Sequence, residues 1–110
     1  MLSTSALATD LEYAVEASFA VDWMQTRYIV QHPWIEHNGQ VRYLMEGNPL
    51  LGQHPTAQKV NLYFPAMMAG HYAIDQRLSE TGQRWFEGGT LAAELLCILR
   101  NRRIGANLSF

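Results

Sequence analysis

Hydrophobic residues recur at helical spacing along three stretches of the chain. The first covers about residues 4–30, the second about residues 56–78 and the third about residues 83–102. Within each stretch, apolar side chains return every three or four positions, which is the period of one helix face. The pattern predicts an all-α bundle of three helices, antiparallel in sequence, in a single domain that covers residues 1–110.

Turn-forming residues separate the first two predicted helices. Asn38-Gly39 is the strongest short hairpin signal, and it predicts a small β-hairpin that pairs residues 34–35 with residues 41–44. Asn48-Pro49 starts a turn and Gly52 permits a positive φ. We therefore expect a structured loop of about 25 residues between the first and second helices, with the hairpin inside it.

Several residues within the helices have ordinary structural interpretations. Glu12 and Glu16 lie one turn apart, and the sequence predicts that they belong to a solvated stripe. The Gly88-Gly89 pair costs about 1 kcal/mol per residue relative to alanine in a helix, so we expect another helix to approach it closely. On the second helix, the spacing assigns these residues to the inner side: Val60, Phe64, Met67, Met68, His71, Ile74 and Leu78.

The composition favours a surface that is covered by a membrane or a partner. Hydrophobic residues make up 48% of the 110 residues and charged residues only 16%, whereas an average soluble domain has roughly 25% charged residues. The net charge of -2 and the short basic cluster at residues 100–103 argue against nucleic-acid binding. Acidic residues interrupt all three predicted helices, so none is a good membrane span by itself. The single cysteine, Cys97, is predicted to be a small buried hydrophobe.

Three motifs in order carry a resemblance to a known kind of protein. They are Asp22-x-x-Gln25-Thr26, then Glu46-x-Asn48-Pro49-x-Leu51-Gly52-x-x-Pro55, then Val60-x-x-Tyr63-Phe64, with Glu94 and Asn101 fitting the same pattern near the end. The chain resembles a family of short, uncharacterised bacterial and phage-type helical membrane proteins. The resemblance implies about three apolar spans and the bacterial inner membrane, although the first helix here carries additional acids. It implies either a membrane-peripheral member or a chain whose lipid-facing positions have become polar, and it implies no activity.

The candidate site residues are polar side chains from these motifs. A functional interpretation places Asp22, Glu46 and Glu94 opposite one another across the bundle as catalytic carboxylates. A structural interpretation gives them arginine partners or hydrogen bonds to loop amides. The histidines lack metal-ligand spacing, so no metal and no cofactor is predicted. The residues assigned to binding are Gln25, Thr26, Asn48, His54 and His71.

The sequence leaves two functions open. The first is a small membrane-associated or interaction protein without catalysis, which the low charge, the resemblance and the absence of a catalytic motif favour. The second is a small metal-dependent or acid/base hydrolase that uses carboxylates and a histidine at the mouth of the bundle. A membrane, a membrane protein and a second copy of the chain are the partners left open, and a cytoplasmic location is expected if the helices do not span.

Overall fold

The computed structural model describes residues 9–108, without the side chains of His37 and Arg42. The elements in order are α1 (Asp10–Gln31), β1 (Trp34–His37), β2 (Gln40–Tyr43), α2 (Ala57–Asp75) and α3 (Glu80–Arg103). The predicted fold of three helices, with a small hairpin between the first two, is therefore confirmed. The part of the first predicted helix that precedes Thr9 lies outside the described residues.

A hydroxyl side chain caps the start of each helix. Thr9, Thr56 and Ser79 each accept a hydrogen bond from the backbone N–H three residues further on, at 2.9, 3.2 and 3.1 Å. Such a cap satisfies one of the N–H groups that the first turn leaves free. Because Ser79 is a cap, α3 begins three residues earlier than the spacing predicts. Gly105 has φ +104 and ends α3 in the left-handed conformation, as its position predicts.

The segment between α1 and α2 is held by its turn residues. Strands β1 and β2 pair antiparallel from Trp34 opposite Tyr43 to His37 opposite Gln40. The connecting Asn38 and Gly39 both have positive φ, 52° and 76°, which is the requirement of a tight two-residue hairpin turn. Beyond the hairpin, backbone hydrogen bonds close the loop that follows. This loop returns the chain to α1 and brings its polar side chains to the bundle.

Helix α1 is the central element, since it packs against both α3 and α2, which contact each other much less. Two small apolar clusters lie beside it. Cys97, predicted to be buried, is only half-buried. The buried members of the clusters are Val15, Phe19, Leu51, Val60 and Phe64 in one, and Ile29, Leu44 and Ala106 in the other.

Two packing predictions are wrong. Among the described residues, a Cβ atom added at Gly88 or at Gly89 would meet no heavy atom of another element within 4 Å, so neither α1 nor α2 approaches this pair closely. On α2, the predicted inner residues Val60, Phe64 and His71 are buried, but Met67 and Ile74 are exposed, because the helix turns Asp75 inward. This error arises because the apolar side of the helix was expected to face the core.

Candidate functional site

The three helices bury polar side chains and expose apolar ones. On α3, the buried residues are Gln83, Glu87 and Asn101. On the opposite side of the same helix, Trp85 is 80% exposed and Leu96 is 69% exposed. A helix of a water-soluble protein shows the reverse arrangement. Many of the polar side chains that could form a site therefore lie inside the bundle.

The buried polar residues form two groups at different heights along α1. We call the first the histidine cluster and the second the loop cluster. On α1, Glu12 belongs to the first group and Asp22 to the second. These two residues are ten positions apart, which corresponds to about 15 Å along the helix. The histidine cluster contains Glu12, Glu16, His71, Asp75 and Glu87. The loop cluster contains Asp22, Gln25, Thr26, Glu46, Glu94 and Asn101.

The loop cluster is a hydrogen-bond network centred on Asp22. Its Oδ1 atom accepts from Asn101 Nδ2 at 3.0 Å and lies 3.3 Å from Thr26 Oγ1. The Thr26 hydroxyl has one proton, which it donates to the nearer carboxylate oxygen, Glu46 Oε2, at 2.8 Å. Gln25 accepts from Asn101 at 3.2 Å and donates to a backbone carbonyl of α3 at 3.2 Å. The sequence-predicted residues from α1, the loop and α3 thus converge in one buried place.

Asp22 and Glu94 form a carboxyl pair within the loop cluster. Burial is the main cause that raises the pKa of Glu94, to about 9, and the hydrogen bond to Asp22 and the charge of Asp22 raise it further. Burial also raises the pKa of Asp22, although its hydrogen bond with Glu94 acts in the opposite direction. A hydrogen bond between two carboxyl groups requires a proton. We therefore place a proton on Glu94, which donates to the ionised Asp22.

Glu46 and Asn48 lock the loop. Glu46 Oε1 accepts from the backbone N–H of Asn48 at 3.0 Å, and Asn48 Oδ1 accepts from the N–H of Leu50 at 2.9 Å. The Asn48 amide also donates to the Tyr63 hydroxyl of α2 at 2.8 Å. Arg100 donates to the carbonyl of residue 45, next to Glu46, at 3.0 Å. These are the loop-locking bonds that the structural interpretation of Glu46 and Asn48 predicts.

The histidine cluster begins with Glu12, which is fully buried. The predicted solvated stripe is therefore wrong for Glu12, because α2 and α3 cover this face of α1. His71 Nδ1 lies 2.9 Å from Oε1 and 3.0 Å from Oε2 of Glu12. On the other side of the ring, Nε2 lies 3.0 Å from the Thr90 hydroxyl, which donates its own proton to the Phe86 carbonyl at 2.7 Å. Thr90 must therefore accept, so Nε2 carries a proton.

The proton on Nε2 determines what Nδ1, the other ring nitrogen of His71, can do. Burial lowers the pKa of His71, against the effect of the carboxylates of Glu16 and Glu87, so the neutral ring is favoured. In a neutral ring with its proton on Nε2, the Nδ1 lone pair faces Glu12. Two electron pairs at 2.9 Å need a cation between them, which is either a proton or a metal ion.

Asp75 and Glu87 complete the histidine cluster. Asp75 is fully buried, and no N–H or hydroxyl group among residues 9–108 donates to its oxygens, which meet the carboxyl group of Glu87 instead. Burial raises the pKa of Asp75 to about 7, and the hydrogen bond and charge of Glu87 add to this. Burial is also the main cause that raises the pKa of Glu16 to about 7. One oxygen of Glu87 accepts from the Thr9 hydroxyl at 2.9 Å, and the other has no donor in the described part of the chain.

A surface cavity of about 430 Å³ leads to Glu87 from the end of the bundle. A second, of about 280 Å³, lies between α2 and α3 and reaches His71. The two cavities border the histidine cluster, one at Glu87 and the other at His71. The residues that line the larger cavity are Thr9, Asp10, Leu11, Glu80, Gln83, Arg84 and Glu87.

The residues that the sequence assigns to a site lie in three separate parts of the structure. Asp22, Gln25, Thr26, Glu46 and Glu94 lie together in the loop cluster, and Asn48 lies beside it. His54 is exposed in the loop, while His71 belongs to the histidine cluster. Sequence reasoning missed the carboxylates around His71. Their signal was available as two pairs with the spacing i, i+4, Glu12 with Glu16 and His71 with Asp75, since such pairs share a helix face.

Comparison with known protein families, curated proteins and solved structures finds no match. The resemblance to a helical membrane-protein family therefore stays a prediction. Among the helices of residues 9–108, none combines the length and the apolar character that crossing a membrane requires.

Proposed function

We propose that this is a membrane-associated helical protein whose outer surface contacts lipid. The observation that supports the proposal is an exposed apolar surface, here called the apolar belt, that continues over all three helices. On α3, every exposed residue between Arg84 and Arg102 is apolar or glycine. The large members of the belt are Tyr13, Val21, Leu62, Met67, Tyr72, Ile74, Trp85, Leu95, Leu96 and Leu99.

Charged side chains border the apolar belt at both ends of the bundle. Arg84 is exposed at one border and Arg102 at the other. The fifteen positions from Trp85 to Leu99 correspond to about 22 Å of helix. This is shorter than the roughly 30 Å hydrocarbon core of a bilayer. The proposal accordingly places the bundle in contact with lipid and assigns no span.

Lipid fits the apolar belt better than a single protein partner does. Tyr13 lies on α1, Leu62 on α2 and Leu96 on α3, and all three are about two-thirds exposed, at 63%, 65% and 69%. A folded partner or a second copy of the chain would bury one side of such a belt, whereas lipid contacts every side. An exposed apolar area of this kind is the mark of an interaction surface in a folded protein.

The hydrolase interpretation receives less support from the geometry. It requires a histidine beside Asp22 and Glu46, but His54 is exposed in the loop and His71 bonds with Glu12 instead. The described donors around Asp22 and Glu46 form hydrogen bonds that fix the loop to α1 and α3. We infer a structural role for the loop cluster.

Flotation with phosphatidylcholine vesicles tests the proposal. We expect the parent protein to float with the vesicles, and a Leu96→Glu/Leu99→Glu variant to lose on the order of tenfold or more of its partition, because a carboxylate is costly in an apolar membrane environment. Leu50→Glu is the matched control, since Leu50 is 66% exposed but lies in the loop. A parent protein that stays in the aqueous fraction contradicts the proposal, and a dimer in light scattering that disappears in the double variant would assign the belt to a second copy.

A further inference from the structure

We propose that the histidine cluster is a binding site for divalent transition-metal ions, with Glu12 as its central ligand. Glu12 belongs to two sets of potential ligands, one with Glu16 and His71 and the other with Asp75 and Glu87. In each set, the ligand atoms all lie within 4.8 Å of one another. The inference goes beyond the proposed function and does not depend on it.

The distances suit a metal coordination sphere. Nitrogen and oxygen ligands lie about 2.1 Å from an ion such as zinc. Two such ligands that subtend 90° to 109° at the ion are therefore about 3.0 to 3.4 Å apart. The Nδ1 atom of His71 lies 2.9 and 3.0 Å from the two oxygens of Glu12. An ion that contacts both side chains needs only a small adjustment of them.

Asp75 supplies independent evidence that a ligand belongs here. Its side chain is fully buried, and no N–H or hydroxyl group in the described range donates to it, so its one polar contact is the carboxyl group of Glu87. Buried carboxylates in proteins are normally paired, hydrogen-bonded or bound to a metal. Since Asp75 faces Glu12 and Glu87, its neighbours are further acceptors, and a cation satisfies all three at once.

The groups around the potential ligands hold them in place. The Thr90 hydroxyl fixes the His71 ring from Nε2, which leaves Nδ1 as the ligand atom. The Thr9 hydroxyl holds one oxygen of Glu87, and the other oxygen is left without a donor in the described residues. Partners of this kind orient metal ligands in known sites. With one imidazole and four carboxylates, the donors suit manganese, iron or zinc rather than copper(I).

Asp75→Asn is the decisive variant. Because the asparagine amide has nearly the same shape as a protonated carboxyl group, we expect the variant protein to keep its fold. Glu94→Gln makes the same kind of change in the other carboxyl pair and is the matched control. We would remove any affinity tag, treat the full chain with a chelator, dialyse it against Mn²⁺ or Zn²⁺, and measure the bound metal by mass spectrometry. Circular dichroism would establish that each variant is folded.

We expect at least one bound ion per chain in the parent and in Glu94→Gln, and affinity lower by roughly 100-fold or more in Asp75→Asn, since loss of even a supporting contact costs 10- to 100-fold. Glu12→Gln should lose binding as well. Absence of stoichiometric metal in the parent overturns the proposal, as does an Asp75→Asn protein that binds as the parent does, or an equal loss in Glu94→Gln. Because the assay needs no vesicles, its outcome is separate from the test of membrane association.

Discussion

Replacement of Glu46 by glutamine tests whether the loop cluster is structural. Glu46 is nearly fully buried and accepts two hydrogen bonds, from the Thr26 hydroxyl at 2.8 Å and from the Asn48 N–H at 3.0 Å. In Glu46→Gln the amide oxygen can still accept from Asn48. The NH₂ group then faces Thr26 and cannot accept its proton. The variant therefore loses one charge-assisted hydrogen bond while its shape is kept.

The expected loss in the free energy of unfolding follows from these contacts. A hydrogen bond to a charged group contributes about 1.5 to 3 kcal/mol. Part of this is offset, because the charge of Glu46 raises the pKa of Asp22, so its removal relieves a repulsion between two carboxylates. We expect a net loss of about 1 to 2 kcal/mol, which corresponds to a melting temperature lower by roughly 5 to 15 °C.

Thermal and urea unfolding of the parent and the variant measure this loss. Glu36→Gln is the control, since Glu36 is exposed on β1 and its replacement should change stability by less than about 0.5 kcal/mol. Thr26→Val removes the other partner, and the double variant should lose less than the sum of the single losses because the two residues share one bond. A Glu46→Gln protein as stable as the parent would refute the structural role of Glu46 and favour a functional role for this carboxylate.

Three further changes have expected outcomes. The pKa of Glu94 is raised from a usual 4.5 to about 9. Glu94 therefore contributes its full stabilisation below pH 4.5, and this stabilisation is lost as the pH rises towards 9. The loss is at most about 1.4 kcal/mol per pH unit. Glu94→Gln should flatten the decline in urea midpoint between pH 5 and pH 8, and an unchanged slope would contradict the shared proton. Gly105→Ala should cost more than about 1 kcal/mol in thermal unfolding, because φ is +104° and the new Cβ would lie 2.8 Å from Ile35 Cδ1. Ser79→Ala should cost about 1 kcal/mol through loss of the α3 cap, which its urea midpoint will show.

Local chemistry explains the parts of the fold that the sequence predicts. Asn38-Gly39 allows two consecutive positive φ angles, so the hairpin follows from the turn itself. Thr56 caps α2 with its own hydroxyl, and Gly105 ends α3 through a conformation that glycine adopts readily. Each of these features depends on residues within a few positions of one another. None requires knowledge of how the helices pack.

The candidate site could be predicted only in part. The motif residues Asp22, Thr26 and Glu46 do converge, because each lies at a position fixed by a nearby turn or helix. The burial of Glu12 could not be read from its spacing, since a period of 3.6 identifies a face but not what covers it. The usual assumption that polar faces meet water assigned Glu12 to the outside and Ile74 to the inside. In this chain both assignments are reversed.

The two polar clusters differ in the donors that they offer to their carboxylates, and this difference limits the metal proposal to one of them. In the loop cluster, Asp22 accepts from Asn101 and Glu46 accepts from Thr26, and the proton on Glu94 reduces the charge of the carboxyl pair. Neutral donors therefore stabilise the remaining negative charge, and a metal ion would have to displace them. In the histidine cluster, no N–H or hydroxyl group of the described residues donates to Asp75, and Nδ1 of His71 faces Glu12. A metal ion there takes the place of the protons shared between these side chains and displaces no neutral donor, so metal should stabilise the parent protein against unfolding but leave Asp75→Asn nearly unaffected.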